Sequence, residues 1–155
     1  MLQNGRTVWF DMDGTIANLY SYDNWLELLT REIADPYRNC KPLVQIETLK
    51  AEIERLQNRG YGFGVISWAS KNGTPDYFAE VLKAKRLWLL DNGLGLLLQD
   101  FHVLPYGTPK SCVATGDDIL IDDERRNIEE WRNAGMIAYD CGGFMNAVDC
   151  LKAIN

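Results

Sequence analysis

The chain has 155 residues, of which 46% are hydrophobic and 25% charged, and its formal net charge is -6. These values suit one globular domain, residues 1–155, with a real core. They exclude a membrane span of ~20 apolar residues and argue against a broad surface for nucleic acid backbones.

Gln3, Asn4 and Gly5 interrupt the N-terminus before any apolar stretch, so no secretory leader is expected and the location reads as cytoplasmic. Residues 7–10 are nearly continuously apolar, the pattern of a buried parallel strand. A helix is expected from Asp23 or Asn24, with Trp25, Leu28, Leu29 and Ile33 on one face. Pro36 and Pro42 bound a loop. A second helix is expected over residues 44–59, with Ile46, Leu49, Ile53 and Leu56 at helical spacing and Gly60 as its stop. Residues 61–66 read as the second strand. Thr74-Pro75-Asp76 is a helix start, a capping hydroxyl followed by proline and an acid in the first turn. That helix carries Phe78, Val81 and Leu82 and is expected to extend, with or without a break, to Trp88 and Leu90. The basic strip Lys83, Lys85 and Arg86 on it reads as a solvated face. Residues 101–104 and 119–121 are further strands. A helix with Ile128 and Trp131 stops before Gly135, a fifth strand covers 136–139, and a last helix covers 145–154. Cys40, Cys112, Cys141 and Cys150 lack metal-site spacing and are expected to be reduced and mostly buried.

Strand–helix alternation predicts an α/β, Rossmann-like three-layer sandwich, with a mostly parallel five-stranded sheet and helices on both faces. In such sheets ligands bind outside the carboxyl ends of the strands. Polar residues recur at that edge. The first strand ends in Asp11-Met12-Asp13-Gly14-Thr15, the second in Ser67-Trp68, and the fourth in Asp122-Asp123-Glu124; Lys110 lies in a turn between strands three and four. Alternate residues share a side of a strand, so Asp11 and Asp13 can converge, and convergent carboxylates repel unless a cation or a proton neutralises them. Hard oxygen ligands of this kind suit Mg²⁺. Each element alone has a structural explanation: a surface turn, a turn serine, a solvated lysine, an N-terminal cap. All of them, in order and each at the matching end of its element, point to a site.

This ordered set, spread over nearly the whole chain, resembles the four motifs of the haloacid dehalogenase (HAD) superfamily. The resemblance implies a Mg²⁺-dependent phosphohydrolase that acts on a phosphomonoester through an aspartyl-phosphate. In that reading Asp11 is the nucleophile, Asp13 the general acid/base, Ser67 the hydroxyl that binds the phosphoryl group, and Lys110 the stabilising cation. Mg²⁺ would be held by Asp11, the backbone carbonyl of Asp13 and Asp122, with Asp123 orienting a metal-bound water. Gly14, Thr15, Tyr20 and Trp68 are candidate substrate contacts. Tyr20, Tyr22 and Trp25 could stack on a base or sugar, but core packing explains them as well. The cap is expected to be small or absent, since only a short helical insert over about 17–43 is spare. A small-molecule phosphomonoester is the expected partner; a nucleic acid end is possible but not favoured, and no membrane is expected. A receiver-like phospho-acceptor domain is the alternative from signalling, but there the adjacent acidic pair follows the first strand. A non-catalytic module on the same fold is opposed by the intact set.

Overall fold

In the computed structural model, which describes residues 5–155, the strand β1 (Thr7–Phe10) lies at the centre of a five-stranded sheet of order β3-β2-β1-β4-β5. Residues 1–4, on which the expectation about a leader partly rests, lie outside that range. The other strands are β2 (Gly62–Trp68), β3 (Asp100–Leu104), β4 (Ile119–Asp122) and β5 (Ile137–Asp140), and every pairing is parallel. The expected fold class is therefore the observed one, with a wholly parallel sheet. The chain runs from β1 outward through β2 to β3, then returns to the other side of β1 for β4 and β5. The strand order reverses at β1 and β4, which is where a doubly wound sheet opens its crevice.

Alternation along β1 explains the layers. Val8 and Phe10 join one core cluster with Leu49, Ile53 and Leu56 of α3 (Ile46–Gln57), Trp88 and Leu89 of α4 (Pro75–Asp91), and Leu151 of α6 (Ala147–Lys152). Trp9 joins a second cluster with Leu120 and with Ile128 and Trp131 of α5 (Arg125–Asn133). Helices thus cover both faces. Among the described residues no helix is long and apolar enough to cross a membrane.

The local signals account for most of these elements. Thr74 accepts a hydrogen bond from the Tyr77 amide at 3.2 Å and Pro75 opens α4, as the capping triplet requires. Gly60, with φ +93°, follows the end of α3 in the left-handed region where a side chain would be strained. Several boundaries differ from expectation. The helix α1 (Trp25–Thr30) stops before Ile33, because Glu32 turns to φ +59°. The stretch read as a proline-bounded loop holds a helix, α2 (Asp35–Asn39), with Pro36 in the first turn, where its missing N–H costs nothing. The helix α4 is unbroken, and α6 is shorter than residues 145–154. Strand β2 continues through Ser67 and Trp68 because β3 pairs with them at Val103 and Leu104.

Residues 16–43 form a small elaboration between β1 and α3, made of a 3-10 turn (Leu19–Ser21), α1 and α2. Its neck is closed by the Asn18 amide on the Lys41 carbonyl and the Leu43 amide on the Ile16 carbonyl, at 2.8 Å each. It docks on α4 through Leu19, Leu29 and Tyr37 against Tyr77, Val81 and Ala84. Of the four cysteines, Cys40 and Cys150 are buried, Cys141 is partly buried, Cys112 is exposed, and all are free. The exposure of Cys112 departs from the expected burial: it ends the short 3-10 turn Lys110–Cys112, which buries only Lys110.

The buried Asp118 joins β1 to β4. Its carboxylate accepts from the Thr7 amide, the Trp9 indole and the Thr115 amide at 2.9–3.0 Å. Asp118→Ala would leave those donors unpaired, and an unpaired buried donor costs ~1–3 kcal/mol. A loss of about 3 kcal/mol, roughly 10 °C in melting temperature, is expected in thermal unfolding. An unchanged melting temperature would remove Asp118 from this role.

Candidate active site

At the carboxyl end of β1, the Asp11 amide donates to the Ile121 carbonyl at 2.9 Å, which fixes the start of the loop against β4. The Asp11 carboxylate meets Lys110, from a distant part of the chain, and Thr15, four residues on. Lys110 Nζ donates to Asp11 Oδ1 at 2.6 Å and to Asp122 Oδ2 at 2.8 Å. Thr15 Oγ1 lies 3.3 Å from Asp11 Oδ2 and 3.1 Å from Asp123 Oδ1. Asp122 is held further by the Glu124 amide at 2.8 Å and by Asn127 Nδ2 at 3.1 Å. Asp11, Asp122 and Asp123 each place a carboxylate oxygen within 4.8 Å of the others, close enough for one ion.

Gly14 makes this approach possible. Its φ is +83°, and a Cβ there would press into the Asp123 carboxylate and lie 2.9 Å from the Tyr20 ring. Only glycine meets both demands. Gly14 and Thr15 both adjoin the acidic cluster, and neither is among the residues that line the cavity.

Asp13 faces elsewhere. Its Oδ2 accepts from Lys85 Nζ at 2.7 Å, and the same ammonium donates to Ser67 Oγ at 2.7 Å and to the Trp68 carbonyl at 2.8 Å. Lys85 also lies 4.4 Å from the centre of the Tyr37 ring. Lys85 is fully buried, so the reading of the basic strip as a solvated face is wrong at this position. The signal was in the spacing: Val81, Lys85, Trp88 and Leu89 share one helix face, and that face is buried. Ser67 lies within β2 and is itself fully buried; its hydroxyl meets Lys85 rather than the cavity. The carboxylate of Asp13 lies outside the three-carboxylate cluster, so of the four expected metal residues only Asp11, Asp122 and Asp123 bring their side chains together. Asn127, which supports Asp122, was also missed; its position in the first turn of α5, just past Asp123, was the available sign.

Two members of the cluster, Asp11 and Asp123, line a cavity of about 700 Å³, large enough for a small organic phosphate. Asp13 is also on its wall. Tyr20, Trp25 and Leu26 line one side from the elaboration, and Trp68, Tyr106 and Arg126 the other. Tyr20 and Trp25 meet edge to face at 5.1 Å, and the Arg126 guanidinium stacks 4.8 Å over Trp68. Tyr22 packs against the core instead.

Burial sets the proton affinities. Desolvation raises the Asp13 carboxyl above its ordinary value, and Asp11 adds to the shift while Lys85 opposes it. Desolvation also raises the Asp122–Asp123 pair towards neutrality, with the Asp11 charge adding to it. For Asp122 these two effects outweigh the favourable contact with Lys110. Burial alone would push the Lys110 ammonium down, but Asp11 and Asp122 hold it above its ordinary value. Burial pushes the Cys141 thiol up, so it is no nucleophile although it lies 3.5 Å from Thr15.

Four carboxylates and two ammonium groups thus share the site and, when all are ionised, leave two negative charges uncompensated. A hard divalent cation matches both that charge and the oxygen donors of Asp11, Asp122 and Asp123. No protein-family model and no curated protein matches this chain.

Proposed function

We propose that this protein is a Mg²⁺-dependent phosphohydrolase of the HAD kind, acting on a phosphomonoester through a phosphoaspartate on Asp11. One observation carries the reading. Asp11 shares an edge of the sheet with Lys110, Asp122 and Asp123 on one side and with a separately held acid, Asp13, on the other, and Asp11, Asp13 and Asp123 line one cavity. Two acids two residues apart, one held for attack and one for proton transfer, are what a two-step displacement needs.

Lys110 and Thr15 orient the Asp11 carboxylate, and Lys110 offsets part of its charge as it approaches a phosphate. An Asp11 oxygen attacks phosphorus, and the bond from phosphorus to the leaving oxygen breaks. Asp13, whose proton affinity is raised by burial, delivers its proton to that oxygen. Asp13 then takes a proton from water, which attacks phosphorus, frees Asp11 and yields orthophosphate. Mg²⁺, when bound by Asp11, Asp122 and Asp123, supplies charge neutralisation between nucleophile and phosphoryl oxygens. The aromatic walls favour a leaving group with a flat or apolar part over a fully polar one. The receiver alternative fits less well, since the order β3-β2-β1-β4-β5 differs from the 2-1-3-4-5 order of receiver-type sheets.

The test is phosphate release from a panel of phosphomonoesters (nucleotides, sugar phosphates, phospho-amino acids and nucleic acid ends) with Mg²⁺ or EDTA, coupled to mass spectrometry of the quenched enzyme. Multiple turnovers in Mg²⁺, with a trapped phosphoryl group on Asp11, are expected. A stable label on Asp122 or Asp123 without phosphate release would replace the hydrolase with a phospho-acceptor module.

A further inference from the structure

Lys85 is the group that the reaction above leaves unused. A buried ammonium is costly unless it is fully paired, and an apolar side chain of the same volume would fill its place in α4 among Val81, Ala84, Trp88 and Leu89 at no such cost. An ammonium has three N–H donors. Those of Lys85 go to Asp13 Oδ2, Ser67 Oγ and the Trp68 carbonyl, all within 2.8 Å. None remains for a substrate phosphate, and the ring of Tyr37 covers Lys85 from the elaboration. Lys110 differs, since its two bonds go to the nucleophile and to Asp122.

The three acceptors differ in freedom. Ser67 and Trp68 belong to β2, whose register is locked by pairing with Val103 and Leu104. Asp13 sits in the loop past β1 and lines the cavity. Among the described residues, only its Oδ2 is hydrogen-bonded, which leaves Oδ1 to carry a proton towards the cavity.

We propose that Lys85 is a positioning residue that ties the Asp13 carboxyl to the rigid end of β2, so that Oδ1 faces the leaving oxygen. The proposal rests on the phosphohydrolase reading. It assigns Ser67 the part of an anchor of this clamp. The step it serves is proton delivery from Asp13 to the leaving oxygen as the bond to phosphorus breaks. Misplacing a catalytic group by about 1 Å can cost 10²-fold in rate.

The experiment compares wild type with Lys85→Met on two substrates in Mg²⁺: 4-nitrophenyl phosphate, whose phenolate leaves without a proton, and a simple alkyl phosphate, whose alkoxide needs one. Lys85→Met is expected to lower kcat/KM on the alkyl ester by about 100-fold, and that on the nitrophenyl ester by less than about one tenth of this factor. A residue that only supported the fold would lower both alike. Equal losses on the two esters, or no loss, would overturn the clamp and leave the phosphohydrolase reading standing. A folded wild type without turnover on either ester, or on the wider panel, would overturn both. Lys85→Gln, which keeps one donor, carries the same comparison if the methionine variant does not fold. Failure of both variants to fold would make Lys85 a core residue and overturn the proposal.

Discussion

Asp11→Asn is expected to yield a folded protein that no longer releases phosphate. Asparagine has the same shape as aspartate, and its carbonyl oxygen can still accept the bond from Lys110 that Asp11 Oδ1 accepts at 2.6 Å. Phe10, Met12 and Ile121 belong to the apolar core, whose packing an isosteric exchange is expected to leave intact. The neutral amide cannot attack phosphorus, so the covalent route closes. A loss of at least about 10⁴-fold in kcat is expected, the scale seen when a nucleophile is removed from a covalent enzyme. Circular dichroism and thermal melting establish the fold, and a phosphate-release assay reads the loss. Turnover within tenfold of wild type in a pure, folded sample would show that some other group attacks.

Removal of divalent metal has the second largest expected effect, and its size depends on pH. The Asp122 and Asp123 carboxyls are raised by desolvation first and by the neighbouring Asp11 charge next. A carboxyl raised in the folded state favours folding fully below its unfolded value, about 4, and that contribution disappears as pH rises through the folded value. The metal-free protein is therefore expected to lose stability between about pH 4 and pH 8. A cation bound to the ionised carboxylates relieves this repulsion, so Mg²⁺ should stabilise more at pH 8 than at pH 5. At about one hundred times its dissociation constant a ligand adds ~2.7 kcal/mol, roughly 5–10 °C for a chain of this size. Melting curves at the two pH values, in EDTA and in saturating Mg²⁺, measure all four states. An Mg²⁺ increment that is absent, or identical at pH 5 and pH 8, would exclude a site built from these carboxylates. Activity that survives EDTA would exclude a metal role in turnover.

Local sequence determined much of this molecule. The apolar run 7–10 suits a buried parallel strand, and it is the central one. Thr74-Pro75 started a helix and Gly60 followed the end of one, because capping and left-handed backbone are decided within a few residues. The ordered strand–helix alternation implied a parallel sheet, and the sheet's carboxyl edge placed Asp11, Asp122 and Asp123 together before any contact was known. Proline hid α2, because the same residue that breaks a helix interior is tolerated in a first turn. Tertiary structure decided the rest. The extension of β2 over Ser67 and Trp68 depends on β3, which lies more than thirty residues further along the chain. The burial of Lys85 depends on which face of α4 meets Ser67 and the elaboration, and its bond to Asp13 spans 72 residues. Charge alone shows a basic strip there, and the spacing that puts Lys85 on the apolar face of α4 does not name its partner. Only the packing of α4 decides that Lys85 meets the Asp13 carboxylate, because desolvation and pairing are properties of the assembled fold.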